Sequence, residues 1–121
     1  MTAQSPRIMI LDDEQDLAEG LAEMLRLRGY LVDIARDVAE ALDNARHRRF
    51  DIALVDSNLP DADGADVSID IKRIMPAARV VMMTGSCEPA SLRPAILAGA
   101  EGPLLKPFSI KEMLQILQAA G

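Results

Sequence analysis

Three unbroken apolar runs, Ile8-Met9-Ile10-Leu11, Ile52-Ala53-Leu54-Val55 and Val80-Val81-Met82-Met83, each bounded by polar residues, restrict this chain most. Short runs without alternation suit strands covered on both faces, so they predict the central strands of a parallel sheet. Tyr30-Leu31-Val32-Asp33-Ile34 alternates, and Gly102-Pro103-Leu104-Leu105 carries a proline that cannot donate to a ladder. Both are predicted to be edge strands.

Between the strands the apolar period changes to that of a helix. Leu17, Leu21, Met24 and Leu25 define one inward face, with Gly29 placed to end the helix. Asp37 and Glu40 are set to cap a second, whose Val38, Ala41, Leu42 and Ala45 face inward. Val67, Ile71 and Ile74 mark a third that stops before Pro76. Leu92, Ala95 and Ile96 mark a fourth, ending at Gly99 and predicted to be short or irregular because Pro94 falls inside it. Ser109 and Glu112 form a capping box for the fifth, which continues through Ile110, Met113, Leu114 and Leu117.

Five strand-helix repeats with connections this short require a doubly wound α/β fold, a parallel sheet with helices on both faces wound right-handedly. The 121 residues, 50% hydrophobic, are read as one domain with its core at about 7–118. Met1-Thr2-Ala3-Gln4-Ser5 reads as a native start without signal-peptide character. The end at Ala119-Ala120-Gly121 suits a natural terminus or a domain boundary. No apolar run has the length of a membrane span, so a soluble, cytoplasmic protein without membrane contact is expected. Cys87 is the single cysteine and is read as a free thiol. The net charge of −6 argues against direct nucleic-acid binding. The exception is Arg46-His47-Arg48-Arg49, which is expected to meet the C-terminal dipole of the second helix, with His47 an ordinary surface residue.

In such a sheet function gathers at the carboxyl ends of the strands. Asp12 and Asp13 follow the first strand, Asp56 the third, Thr84 the fourth and Lys106 the fifth. Three carboxylates would therefore crowd one pocket with a hydroxyl and an ammonium group at its rim. They repel one another and are best neutralised by a hard divalent cation with oxygen ligands, Mg²⁺ above all, since no histidine or cysteine joins the cluster. Asp56 then has the place of a carboxylate nucleophile forming an acyl phosphate, with Lys106 and Thr84 stabilising charge on the phosphoryl oxygens.

The motifs Ile10-Leu11-Asp12-Asp13-Glu14, Ala53-Leu54-Val55-Asp56-Ser57-Asn58-Leu59-Pro60 with Gly64, Val81-Met82-Met83-Thr84-Gly85 and Leu105-Lys106-Pro107-Phe108 resemble the response-regulator receiver family of CheY-like proteins, over about Arg7 to Gln118. The resemblance implies a flavodoxin-like sheet with strand order 2-1-3-4-5. It implies Mg²⁺ held by the side chains of Asp13 and Asp56, by the backbone carbonyl of Asn58, and by Asp12 through a water. Asp56 becomes the phosphoacceptor, Lys106 pairs with the phosphate, Thr84 is a switch residue, the Lys106-Pro107 bond is cis, and Gly64 closes the turn after the site. Asn58 and Glu88 hold positions that influence an attacking water. The implied partners are a sensor histidine kinase or histidine phosphotransfer protein and a downstream output domain or protein, with a phosphorylation-dependent homodimer also in keeping. The chain is then no turnover enzyme but a phosphoacceptor that catalyses only its own phosphorylation and dephosphorylation.

One position departs from the family. Three residues before the lysine the family carries Tyr or Phe, which turns inward when the Thr moves; here that switch position is Pro103. The fourth helix, interrupted by Pro94, is the expected moving element instead. A phosphorylation-independent interaction module, a pseudo-receiver, is the alternative that Pro103 suggests. A haloacid-dehalogenase-like phosphatase is less fitting, because that class places its nucleophile after the first strand with a second Asp two residues on, where this chain has Asn58.

Overall fold

The structure is a computed structural model that describes residues 5–85 and 89–119. Five strands, β1 (Arg7–Leu11), β2 (Leu31–Ala35), β3 (Ile52–Asp56), β4 (Arg79–Thr84) and β5 (Glu101–Leu105), alternate with five helices. These are α1 (Gln15–Leu27), α2 (Val38–His47), α3 (Gly64–Ile74), α4 (Pro89–Leu97) and α5 (Ile110–Gln118). All four strand pairs are parallel and the order is β2-β1-β3-β4-β5, which puts the alternating segment and the proline-bearing one at the edges, as predicted.

Because successive side chains of a strand point to opposite faces, each apolar run feeds two cores. Ile8, Ile10, Ile52, Leu54, Val81 and Met83 pack with Leu21, Leu25, Met113 and Leu117 beneath α1 and α5. Met9, Leu11, Ala53, Val55, Val80 and Met82 pack with Val67, Ile71, Leu92 and Ala95 beneath α3 and α4. One expected face is corrected: Leu17 and Met24 of α1 remain 41% and 39% exposed, while Ala18 and Ala22 are buried. The buried stripe of α1 runs through Ala18, Leu21, Ala22 and Leu25, displaced from the face that its large apolar residues suggest. In α4, Ile96 remains 38% exposed.

The helix ends follow their chemistry. At Gly29, φ is +92°, and the Tyr30 amide donates back to the Leu25 carbonyl at 3.2 Å, closing α1. The Asp37 carboxylate accepts from the Glu40 amide at 2.8 Å, and the Ser109–Glu112 capping box is complete. The nine-residue α4 runs through Pro94 and is as short as expected, since proline leaves a carbonyl one turn back without its helical donor. Arg46 and His47 lie in the last turn of α2, but Arg48 turns to the Asp33 carboxylate at 3.2 Å, which Arg7 shares at 3.1 Å. His47 sits on the surface, its ring Nδ1 2.8 Å from the Asp43 carbonyl oxygen.

In β5 the ladder passes from Val81↔Glu101 to Met83↔Leu104, so one residue on β4 faces two on β5. This bulge contains Gly102 and Pro103. At Gly102 φ is +105°, and a Cβ there would lie 2.8 Å from the Met82 carbonyl oxygen. Both the left-handed backbone and the close approach demand glycine.

Candidate functional site

β1 and β3 are neighbours at the centre of the sheet, so their carboxyl ends bring Asp12 and Asp56 side by side, 2% and 3% exposed, with Asp13 on the open side. Carboxylate oxygens of all three residues lie within 4.8 Å of one another. The Asp12 carboxylate accepts the Glu14 amide at 3.0 Å, and the Asp56 carboxylate accepts the Asn58 amide at 3.0 Å. Each acid is thus oriented by the backbone two residues downstream.

Lys106 enters from the end of β5. Its amide donates to the Thr84 carbonyl at 2.7 Å, which fixes the strand end. Its Nζ lies 2.8 Å from Asp12 Oδ2, 3.2 Å from Asp56 Oδ2 and 3.8 Å from Glu14 Oε1. The Lys106-Pro107 bond is cis, as the resemblance implies, and so is Gly102-Pro103. Burial pushes the Asp56 carboxyl above its ordinary value, and the Asp12 charge adds to this; the Asn58 amide and Lys106 pull the other way without cancelling it. For Lys106 burial works downward, but the hydrogen bond and charge of Asp12, with those of Asp56, outweigh it and hold the ammonium above its ordinary value.

Gly64 begins α3 directly behind Asp56. Its amide donates to the Ser57 carbonyl at 3.2 Å, and a Cβ there would overlap the Asp56 carbonyl oxygen and the Ser57 Cα. Backbone therefore passes close behind the acid only because this residue lacks a side chain. Thr84 is buried at the end of β4. Pro103 is not part of this site: it is exposed, on the β5 bulge, and faces α4 across a cleft of about 460 Å³ lined by Leu92, Arg93, Ile96, Leu97, Gly102 and Pro103. Ser86, Cys87 and Glu88 lie outside the described residues. A second cleft of about 370 Å³ opens beside the site between Glu14, Leu17, Gly85, Lys106, Pro107 and Phe108. The closeness of Glu14 to Lys106 had no signal in the sequence beyond its place in the acidic motif.

The sequence profile of the response regulator receiver domain matches residues 8–118. The chain belongs to the response regulator receiver family. This receiver is 39% identical over 110 residues to a response regulator receiver protein of Anaeromyxobacter sp. (strain Fw109-5), an alignment covering 91% of this chain and 46% of that one. It is 32% identical to the transcriptional regulatory protein CutR of Streptomyces coelicolor over 95% of its own length and 53% of CutR. The receiver therefore spans about half the length of these relatives. A CheY-like receiver domain protein from Methanospirillum hungatei JF-1 superposes with a TM-score of 0.90 at 27% identity, over 95% and 92% of the two chains. A Burkholderia pseudomallei response regulator, solved with a phosphorylated aspartic acid, a calcium ion and citrate, superposes with a TM-score of 0.88 at 30% identity, over 95% and 68%.

Proposed function

We propose that this receiver accepts a phosphoryl group on Asp56 from a phosphohistidine of a sensor kinase or phosphotransfer protein, in the cytoplasm, and passes the resulting change to an output domain or partner. The observation that carries the reading is the gathering of carboxylate oxygens from Asp12, Asp13 and Asp56, two of which, Asp12 and Asp56, share the Lys106 ammonium group. Three carboxylates against one lysine leave a site short of positive charge, and an all-oxygen donor set fits Mg²⁺. Asp13, Asp56 and the Asn58 backbone carbonyl are assigned as its ligands, with Asp12 acting through a water. Bound there, Mg²⁺ would neutralise the acids and the phosphoryl oxygens.

The chain's own groups do the rest. The Asn58 amide orients the Asp56 carboxylate, one oxygen of which attacks phosphorus; the P–N bond breaks and its electron pair stays on the donor imidazole. Lys106 exchanges a carboxylate for a phosphoryl oxygen, and the Thr84 hydroxyl is assigned to the same group. The protein is a relay that acts on itself rather than a turnover enzyme. Among the described residues no helix is long and apolar enough to cross a membrane. The exposed Pro103 favours a second reading, an interaction module that works without phosphorylation.

Intact-mass measurement after incubation with acetyl phosphate separates the two. A gain of one phosphoryl mass that requires Mg²⁺ and is abolished by Asp56→Asn is expected. If no gain occurs and BeF₃⁻ with Mg²⁺ also fails to bind, the interaction module takes its place.

A further inference from the structure

Arg79 begins β4 at the pole of the sheet opposite Asp56. A guanidinium has five N–H donors, and here each has an acceptor. Nε and Nη2 hold the Glu101 carboxylate in a fork at 2.8 and 2.7 Å. Nη2 also donates to the Ile116 carbonyl at 2.9 Å, and Nη1 to those of Leu117 at 3.1 Å and Ala119 at 3.3 Å. The last carbonyls of a helix have no partner within it, and α5 has no basic residue in its own last turn. A side chain only 17% exposed, from another element, therefore closes α5 while gripping the first residue of β5.

The far end of β5 is held as well, by the Lys106 amide on the Thr84 carbonyl. Between these two ties the ladder is broken at the Gly102-Pro103 bulge, and the bulge forms one wall of the cleft against α4. On the other wall α4 is short, carries Pro94 and leaves Leu97 81% exposed. Displacement travels through the least restrained part of a packed structure.

We propose that Arg79 is an anchor that keeps the C-terminal end of α5 still when the charge at Asp56 changes, so that the response emerges at the α4–β5 cleft and not where α5 ends. The proposal rests on Asp56 being the phosphoacceptor. It makes Arg79 and Glu101 positioning residues that decide the route of the signal while touching none of the reacting groups.

The test is backbone amide NMR of the full chain with Mg²⁺ and BeF₃⁻, which stands in for the phosphoryl group, together with hydrogen exchange of the ligand-free protein. In the wild type, shifts are expected for Leu92, Arg93, Ile96, Leu97 and Leu104 but not for Ile116 to Ala119. In Arg79→Gln the shifts spread to Ile116, Leu117 and Gln118, and exchange there speeds up roughly fivefold without ligand, as expected for a lost helix cap. Glu101→Gln, a milder change should the first variant fold poorly, gives the same spread to a smaller degree. Wild-type shifts in the last turn of α5 as large as those at the cleft would overturn the proposal. So would variants whose response stays confined, because that is the behaviour of a cap with only a structural role. If BeF₃⁻ leaves the signals around Asp13 and Asp56 unmoved in every protein, the phosphoacceptor reading fails separately. The routing proposal, which rests on that reading, is then overturned with it; where those signals do move, an unchanged exchange rate in Arg79→Gln would overturn the anchor alone.

Discussion

Lys106 meets more acid than one ammonium group can neutralise, and that imbalance governs the chemistry of individual residues here. Asp56 is buried, shares its cation with Asp12, and has a carboxyl raised above the ordinary value. A carboxyl whose folded pKa is raised binds its proton more tightly in the folded state. Its contribution to stability is therefore fully present at pH values below the unfolded value near 3.8 and is lost as pH rises through the folded value. Asp56→Asn removes that penalty. At neutral pH without divalent cations the variant is expected to melt above the parent by about 1 kcal/mol, or roughly 4 °C, and the gap should close as the pH falls toward 4. Adding Mg²⁺ should raise the parent's Tm and leave the variant's nearly unchanged, a comparison that scanning calorimetry makes directly. Gly64 answers to sterics rather than charge. A methyl group there collides with the Asp56 carbonyl and Ser57, so Gly64→Ala is expected to cost about 2 kcal/mol or more in chemical denaturation, with weaker Mg²⁺ binding as the acid is pushed out of place.

The elements that could be read in the sequence are those whose signals are local. An apolar run of four, a capping box three residues apart and a glycine two residues beyond a helix each specify their own surroundings, and β1, β3, β4, α5 and the end of α1 follow from them. That Asp12, Asp13, Asp56 and Lys106 come together was legible for a related reason: the carboxyl ends of parallel strands lie along one edge of the sheet whatever the loops do. Arg79 had no such signal. Its partners stand 22 and 37 to 40 residues away, and in the sequence it is one basic residue before an apolar strand. The bulge was only half visible, because Pro103 announced an edge strand without revealing that Gly102 must pass the Met82 carbonyl. Leu17 and Met24 misled because they border the buried stripe of their helix, and packing rather than periodicity decides where that stripe ends. The Arg79–Glu101 pair also carries an expectation in pH. The hydrogen bond from Arg79 lowers the Glu101 carboxyl below its usual value of 4.5, so the pair's contribution is present above that pH and is lost as pH falls through the lower folded value. Glu101→Gln should flatten that part of the acid limb in a pH series of urea melts. Because Glu101 is 39% exposed and therefore screened by solvent, the contribution should be less than about 1 kcal/mol.

For the molecule as a whole, the parallel order β2-β1-β3-β4-β5 places its acids at one pole and the Arg79 tie at the other, with the length of the central strands between them. A change of charge at the first pole reaches the second only through the packing of the sheet and its covering helices. That packing comes as two sets of side chains divided by a single layer of backbone, one beneath α1 and α5 and the other beneath α3 and α4. Residues that share no neighbours contribute to stability almost independently. A methyl group lost beneath α5 and another lost beneath α3 should thus simply add, and the two flanks can diverge at separate rates. One can be refitted to a new neighbour while the other, with the acidic loops it supports, keeps its shape. A sheet sealed on both sides gives a lineage two surfaces on which to experiment without touching its chemistry.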